Sequence, residues 1–212
     1  MIANTPSARA AVIGAGIVGA AIAQRLAEKG IATLLLDRAD PGTADNATAA
    51  SFAAVSAREQ TPRAFFDLSR AAVEDYRRLA WKLAPAPWYH ADGSLAWFRE
   101  PERAAALHEQ VLRLQSWGYA AELLPAREVL ADLEPGLALP DPEMPVAWFA
   151  EDAWVDAPVL TQRLVEAVRN AGGRVLTGAN RQVTAIGTED GRVSTVTLHG
   201  GQTIPVAAVV NA

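Results

Sequence analysis

The chain has 212 residues, no cysteine, and 19 basic against 24 acidic side chains. Without cysteine there is no disulfide framework, thiolate zinc site, iron–sulfur cluster, catalytic thiol or cysteinyl link to a cofactor. Half of the residues are hydrophobic and a fifth are charged, which marks a globular chain, and a net charge of −5 argues against an electrostatic nucleic-acid binder.

The first apolar run, from Ala10 to Gly19, is interrupted by Gly14, Gly16 and Gly19. It is shorter than the roughly 20 apolar residues that cross a bilayer. Only Arg9 supplies charge before it and no small-residue cleavage site follows, so a cytoplasmic chain without a transmembrane segment is expected. Ala10–Ile13 reads as a buried strand ending in a glycine. Ile17–Lys29 has apolar residues at helical spacing, and Gly30 stops that helix. Thr33–Leu36 is a second buried strand that ends at Asp37. Two buried strands joined by a helix make a βαβ unit with a parallel sheet.

A small-residue loop runs from Arg38 to about Ala57. Pro62 then opens a long amphipathic helix with Phe65, Phe66, Val73, Tyr76 and Leu79 on its apolar side. All six tryptophans fall between Trp81 and Trp154. In that region 88–90 and 94–98 flank Ala91-Asp92-Gly93, a hairpin signal. Pro101–Trp117 is a further helix, and Pro-rich turns surround Glu134-Pro135 and 140–145. A helix at Pro158–Ala171, a Gly172-Gly173 stop and a strand at Arg174–Thr177 follow. A hairpin about Glu189-Asp190-Gly191 spans Arg181–Leu198, and Val206–Ala212 is a last buried strand. The expected organisation is 1–84, 85–153 and 154–212, with the middle segment a second domain inserted into the first.

Gly14-Ala15-Gly16-Ile17-Val18-Gly19 is a G-x-G-x-x-G between strand and helix. Gly14 permits the tight turn, Gly16 lets backbone approach a pyrophosphate, and Gly19 lets the helix pack closely. The helix N-terminus offers unpaired N–H groups and partial positive charge to phosphates. Asp37 lies at the end of the next strand, where a carboxylate accepts ribose hydroxyl protons. It disfavours a 2′-phosphate by repulsion, an effect that the neighbouring Arg38 offsets.

The longer pattern is similar to the glutathione-reductase-like class of FAD proteins. Ala23, Leu26 and Gly30 follow at that class's spacing, with Thr33 where Val is usual and Asp37 where Glu is usual. The chain as a whole resembles the FAD-dependent D-amino-acid oxidase, glycine oxidase and sarcosine oxidase family. Gly42–Phe52 resembles the family's second flavin loop, though Ala53 and Ala54 stand where glycine is frequent. Ala153–Leu160 resembles the segment leading back to the flavin domain. Val206–Ala212 resembles the strand before another flavin contact, and the Glu134–Leu137 turn is also shared.

The resemblance implies an α/β fold: a Rossmann-like FAD-binding domain of the glutathione-reductase type with an inserted, incomplete, mixed α+β substrate domain. It implies FAD, not attached through cysteine, and hydride transfer to flavin N5 from the carbon beside an amine, in a small amine or amino acid. Cofactor contacts are expected from Gly14, Ala15, Gly16, Ile17, Val18, Gly19, Asp37 and Arg38. The second loop adds Thr48, Ala49 and Ser51, with Thr48 and Ser51 equally readable as helix-cap or turn hydroxyls. Val183, Asn211 and Ala212 are the remaining expected contacts.

The sequence names no catalytic residue. The family's chain continues beyond the position of Ala212, so a missing C-terminal part or a partner chain is expected to complete the active site. A non-catalytic nucleotide-binding piece and an NAD-dependent dehydrogenase are the competing readings. His90, His108 and His199 show no metal-ligand spacing; His108 and His199 read as solvated, His90 as structural. The tryptophans read as core, Arg77-Arg78 as an exposed helix face, and no Ser/His/Asp triad is present.

Overall fold

The computed structural model describes residues 8–43 and 46–212. The chain divides into two compact units, one of Met1–Ala53 with Asp156–Ala212, the other of Ala54–Val155.

In the first unit, β1 (Ala8–Ile13) and β2 (Thr33–Leu36) pair in parallel, with Val12 opposite Leu35. Val12, Leu34, Leu35 and Leu36 have no solvent exposure, which is why these strands read as unbroken apolar runs. Between them α1 (Ile17–Glu28) turns the small residues Gly19, Ala20 and Ala23 inward. Beside α1 packs α5 (Ala157–Asn170), whose start is fixed by the Asp156 carboxylate accepting the Val159 amide at 3.0 Å and by Pro158 in its first turn. Gly172 and Gly173 end α5 by donating to the carbonyls of Arg169 and Val168, and β9 (Arg174–Leu176) then pairs in parallel with β2.

The hairpin of β10 (Val183–Glu189) and β11 (Arg192–Leu198) turns at Asp190-Gly191, both left-handed, as the tight turn requires. Next, β12 (Thr203–Asn211) runs antiparallel to β11 in its first half and parallel to β1 in its second. The sheet order is β10-β11-β12-β1-β2-β9. Its core gathers Ala11, Leu34, Leu36, Val196, Leu198, Ile204 and Val206. This is the α/β, parallel-sheet architecture expected from the sequence, with the last strand beginning at Thr203 rather than Val206.

The second unit holds α2 (Arg63–Lys82), α3 (Pro101–Ser116), the short α4 (Ala126–Glu128) and two three-stranded sheets. One sheet orders β3 (Ala54–Val55), β8 (Ala153–Val155) and β4 (Tyr89–His90); the other orders β5 (Ser94–Ala96), β7 (Pro145–Phe149) and β6 (Ala121–Pro125). The segments around Asp92-Gly93 do not form a hairpin: β4 pairs with β8 and β5 with β7. The turn is real, since Gly93 is left-handed at φ 81°, but it carries the chain from one sheet to the other. Their partners come from 145–155, partly hidden in a proline-rich stretch. The compact units divide at 53/54, upstream of the boundary read at 84, and Phe66 of α2 is buried against Trp117 and Tyr119, with ring centroids 5.0 and 5.8 Å away.

A buried polar network ties this unit together. The Asp152 carboxylate accepts from the Tyr119 hydroxyl at 2.5 Å and the Ser94 hydroxyl at 2.6 Å, and pairs with the Arg58 guanidinium at 3.3 Å. Burial and the bond to Asp152 push the Tyr119 phenol above its ordinary value of 10.0. The folded state therefore holds the proton more tightly than the unfolded chain. The network's contribution is complete below pH 10 and is lost as pH rises through the elevated folded value. Urea unfolding followed from neutral pH to above pH 10 should show wild type losing stability more steeply than Tyr119→Phe; equal slopes would remove the tyrosine from the network.

Candidate functional site: a nucleotide cleft at the first β–α turn

The cleft is built where β1 ends. Gly14 is left-handed at φ 103°, and its amide donates to the Leu36 carbonyl at 2.8 Å, tying the turn to β2. A Cβ on Gly14 would strike the Ala212 carbonyl, and a Cβ on Gly19 would strike the Gly14 carbonyl. Only glycines let β1, α1 and the end of β12 meet this closely. A Cβ on Gly16 would lie 3.2 Å from the Thr48 hydroxyl, on the open side of the turn.

Two side chains hold the turn. Asp37 Oδ2 accepts the Ala15 amide at 2.5 Å while Oδ1 accepts the Ala39 amide at 2.9 Å. The Thr48 hydroxyl, in a residue only 8% exposed, accepts the Ile17 amide at 3.1 Å. The first four amides of an α-helix have no partner within it. Thr48 occupies one of them, and Gly16 at the N-cap position adds no side-chain bond. The rest of the α1 N-terminus faces the cleft with its partial positive charge.

The cleft has a volume of about 780 Å³, within the 300–1,000 Å³ range of ligand sites. Gly14, Gly16, Ile17, Val18, Gly19, Asp37, Arg38, Thr48 and Ala212, all singled out in the sequence, line it. Ala15 lies behind the lining, 3% exposed, and acts through its amide.

The other expected contacts lie elsewhere. Ala49 and Ser51 are exposed on the following loop and do not line the cleft; the Ala49 amide donates to Asn46 Oδ1 and the Ser51 hydroxyl accepts the Ala53 amide. Val183 and Asn211 line a separate shallow cleft with Ile13 and Ile186. Ala44 and Asp45 of the expected second flavin loop lie outside the described residues.

Asn46 and Ala47, of the expected second flavin loop, also line the nucleotide cleft, and five further lining residues carry no advance signal: Ala39, Ala179, Asn180, Gln182 and His199. Ala179 and Asn180 lie in a short helical turn before β10, and Gln182 and His199 are brought together where the His199 amide donates to the Gln182 carbonyl at 2.8 Å. His199, read as merely solvated, is exposed but stands on the cleft wall. His90 stacks on Trp154 at 3.8 Å, a structural contact. Among the described residues no group of His, Cys, Asp and Glu is arranged to hold a metal ion, and no helix is long and apolar enough to cross a membrane.

A family model described as FAD dependent oxidoreductase matches residues 9–212, and the chain belongs to that family. The fold is similar to glycine oxidase from Bacillus cereus, with TM-score 0.84 and 21% identity over 97% of this chain and 55% of that one. It is also similar to iminodiacetate oxidase from Chelativorans, with TM-score 0.78 and 22% identity over 96% of this chain and 55% of that one. A curated relative, the probable 3-hydroxyacyl-CoA dehydrogenase of Deinococcus radiodurans, is 48% identical over 65 residues, which are 31% of this chain and 19% of that protein. The chain thus spans about half the length of these solved structures and a fifth of that relative.

The residues present fit the adenosine-diphosphate half of FAD: a glycine cradle, a helix N-terminus for the pyrophosphate and a carboxylate beside it. Asp37 has a second duty, holding the loop. Asp37→Ala leaves the buried Ala15 amide without an acceptor and should lower ligand-free stability by about 1–3 kcal/mol in urea unfolding, whereas Asp37→Asn should lower it less. An alanine variant as stable as wild type would show that the carboxylate does not hold the turn.

Proposed function

We propose that the cleft binds FAD without a covalent link, and that the chain serves oxidation of the C–N bond of a small amine or amino acid. The observation that carries the reading is the unbroken wall from the α1 N-terminus through Asp37 to Arg38. The α1 amides bind and orient the pyrophosphate. A carboxylate has about four lone-pair sites, of which Asp37 uses two on Ala15 and Ala39, so it keeps capacity for ribose hydroxyls. Arg38 lies on the same wall, and Thr48 fixes the first helical turn so that its neighbours point at phosphate. Ala49, Ser51, Val183 and Asn211 are proposed as contacts with parts of the cofactor beyond this wall.

When bound, the flavin supplies the electron acceptor, at N5, for the hydride leaving the carbon beside the amine. The second unit is proposed as part of the substrate domain. The substrate class is that of the structures similar in fold, whose names specify glycine and iminodiacetate, both amines bearing carboxylates.

Titration of the purified chain with FAD, FMN and NADH tests the reading. FAD should give saturable quenching of flavin fluorescence that ADP reverses, while NADH gives none. Asp37→Ala should weaken FAD by about 1.5–3 kcal/mol, roughly 10- to 150-fold. An unchanged flavin spectrum and fluorescence would refute FAD binding, and preferential NADH binding would favour a dehydrogenase. Anaerobic bleaching of the loaded protein by amines and amino acids then reads substrate class, and its absence across the panel would favour a binding piece without turnover.

A further inference from the structure

We propose that the second unit carries a separate site for a zwitterionic amino acid with an apolar side chain. The site is a cleft of about 350 Å³ between α3 and the loop after β3. It shares no residue with the nucleotide cleft. Its volume is at the lower end of ligand sites, suited to a single amino acid rather than a nucleotide or a long peptide.

The floor is apolar, formed by Ala96, Ala106 and Phe98, with Leu107 and Phe149 buried beneath them. Charges of opposite sign stand at the rim on different elements. Glu59, on the loop, has a side chain 68% exposed and lies 3.3 Å from Arg58 Nε. The Arg58 charge is already engaged from behind, by the buried Asp152 at 3.3 Å and the Ser94 hydroxyl at 2.6 Å, and its guanidinium lies 4.6 Å from the Phe149 ring centroid. Gln110 of α3 donates to the Arg58 carbonyl at 3.0 Å, so the loop is pinned to the helix that forms the opposite wall.

On that wall, the Arg103 guanidinium lies 3.9 Å from the Phe98 ring centroid. Its carboxylate neighbour is Glu100 at 3.9 Å, with both side chains more than 60% exposed. A surface pair of that kind contributes about 0–1 kcal/mol and yields readily to a better partner. Arg103 therefore takes the ligand's carboxylate, a geometry for which a guanidinium is well shaped. Glu59 takes the ammonium, and the apolar side chain lies on Ala106 and Phe98. A simple anion would satisfy Arg103 and leave Glu59 repelling it; an amine alone would do the reverse.

The test is a ¹H–¹⁵N NMR titration of the flavin-free chain with L-leucine, 4-methylpentanoate and leucinamide. Leucine should give saturable shifts at the amides of 103–110 and 58–59, with both analogues about tenfold weaker or worse. Arg103→Ala and Glu59→Gln, both at exposed positions outside the buried network, should each weaken leucine about tenfold while leaving FAD titration unchanged. Absence of saturable leucine shifts in these segments, equal binding of either analogue, or leucine affinity unmoved by both substitutions would overturn the proposal. Because the measurement is made without flavin, failure of FAD binding does not bear on it.

Discussion

The hydrogen bond from the Ala15 amide to the Asp37 carboxylate is the contact on which the first unit's site depends. It joins the turn after β1 to the end of β2 at 2.5 Å, beside the backbone bond from Gly14 to Leu36 at 2.8 Å. With both in place the turn has little freedom. The helix that follows must then leave at an angle that brings Gly19 against the Gly14 carbonyl, where no side chain fits. The orientation of the α1 N-terminus, and so of its unpaired amides, is set before any ligand arrives. Preorganised donors of this kind bind anions without a reordering cost at the moment of binding.

The same turn is held from a third side. The Ala212 amide donates to the Ile13 carbonyl at 2.9 Å, and its own carbonyl occupies the space a side chain on Gly14 would need. Residues almost 200 positions apart in sequence thus share one turn, through parallel pairing of β12 with β1. This explains why a long middle segment, folded as its own unit, can leave the site intact: chain leaves the first unit at Ala53 and re-enters it at Asp156, where a capped helix restarts the architecture.

Where local chemistry decides structure, the sequence is legible. Gly14, Gly16 and Gly19 together with Asp37 are legible because one strand–turn–helix–strand unit contains them all and fixes their spacing. The β10–β11 hairpin is legible because Asp190-Gly191 dictates a tight left-handed turn. Pairing between distant segments is not. Asp92-Gly93 carries the same signal, yet β4 and β5 diverge, because their partners β8 and β7 lie some 60 residues away and offer buried faces around Phe149 and Val155. Asn180, Gln182 and His199 reach the cleft by the same kind of long-range placement, so no spacing rule marks them. The role of Asp37 as an internal clamp is also hidden, since a carboxylate near a glycine-rich loop reads as a ligand contact, whereas the helix-cap reading of Thr48 is open from the sequence.

The turn is set before any ligand arrives, and the amides beyond it are proposed to receive the dinucleotide. Amide hydrogen exchange, resolved by residue with and without FAD, measures both parts. The Ala15 amide, bonded to Asp37, should exchange slowly in either state, while those of Gly16, Val18 and Gly19 should exchange faster in the free chain and become protected on adding FAD. Rapid exchange at Ala15 in the free chain, or protection that appears elsewhere and leaves Gly16, Val18 and Gly19 unchanged, would contradict this.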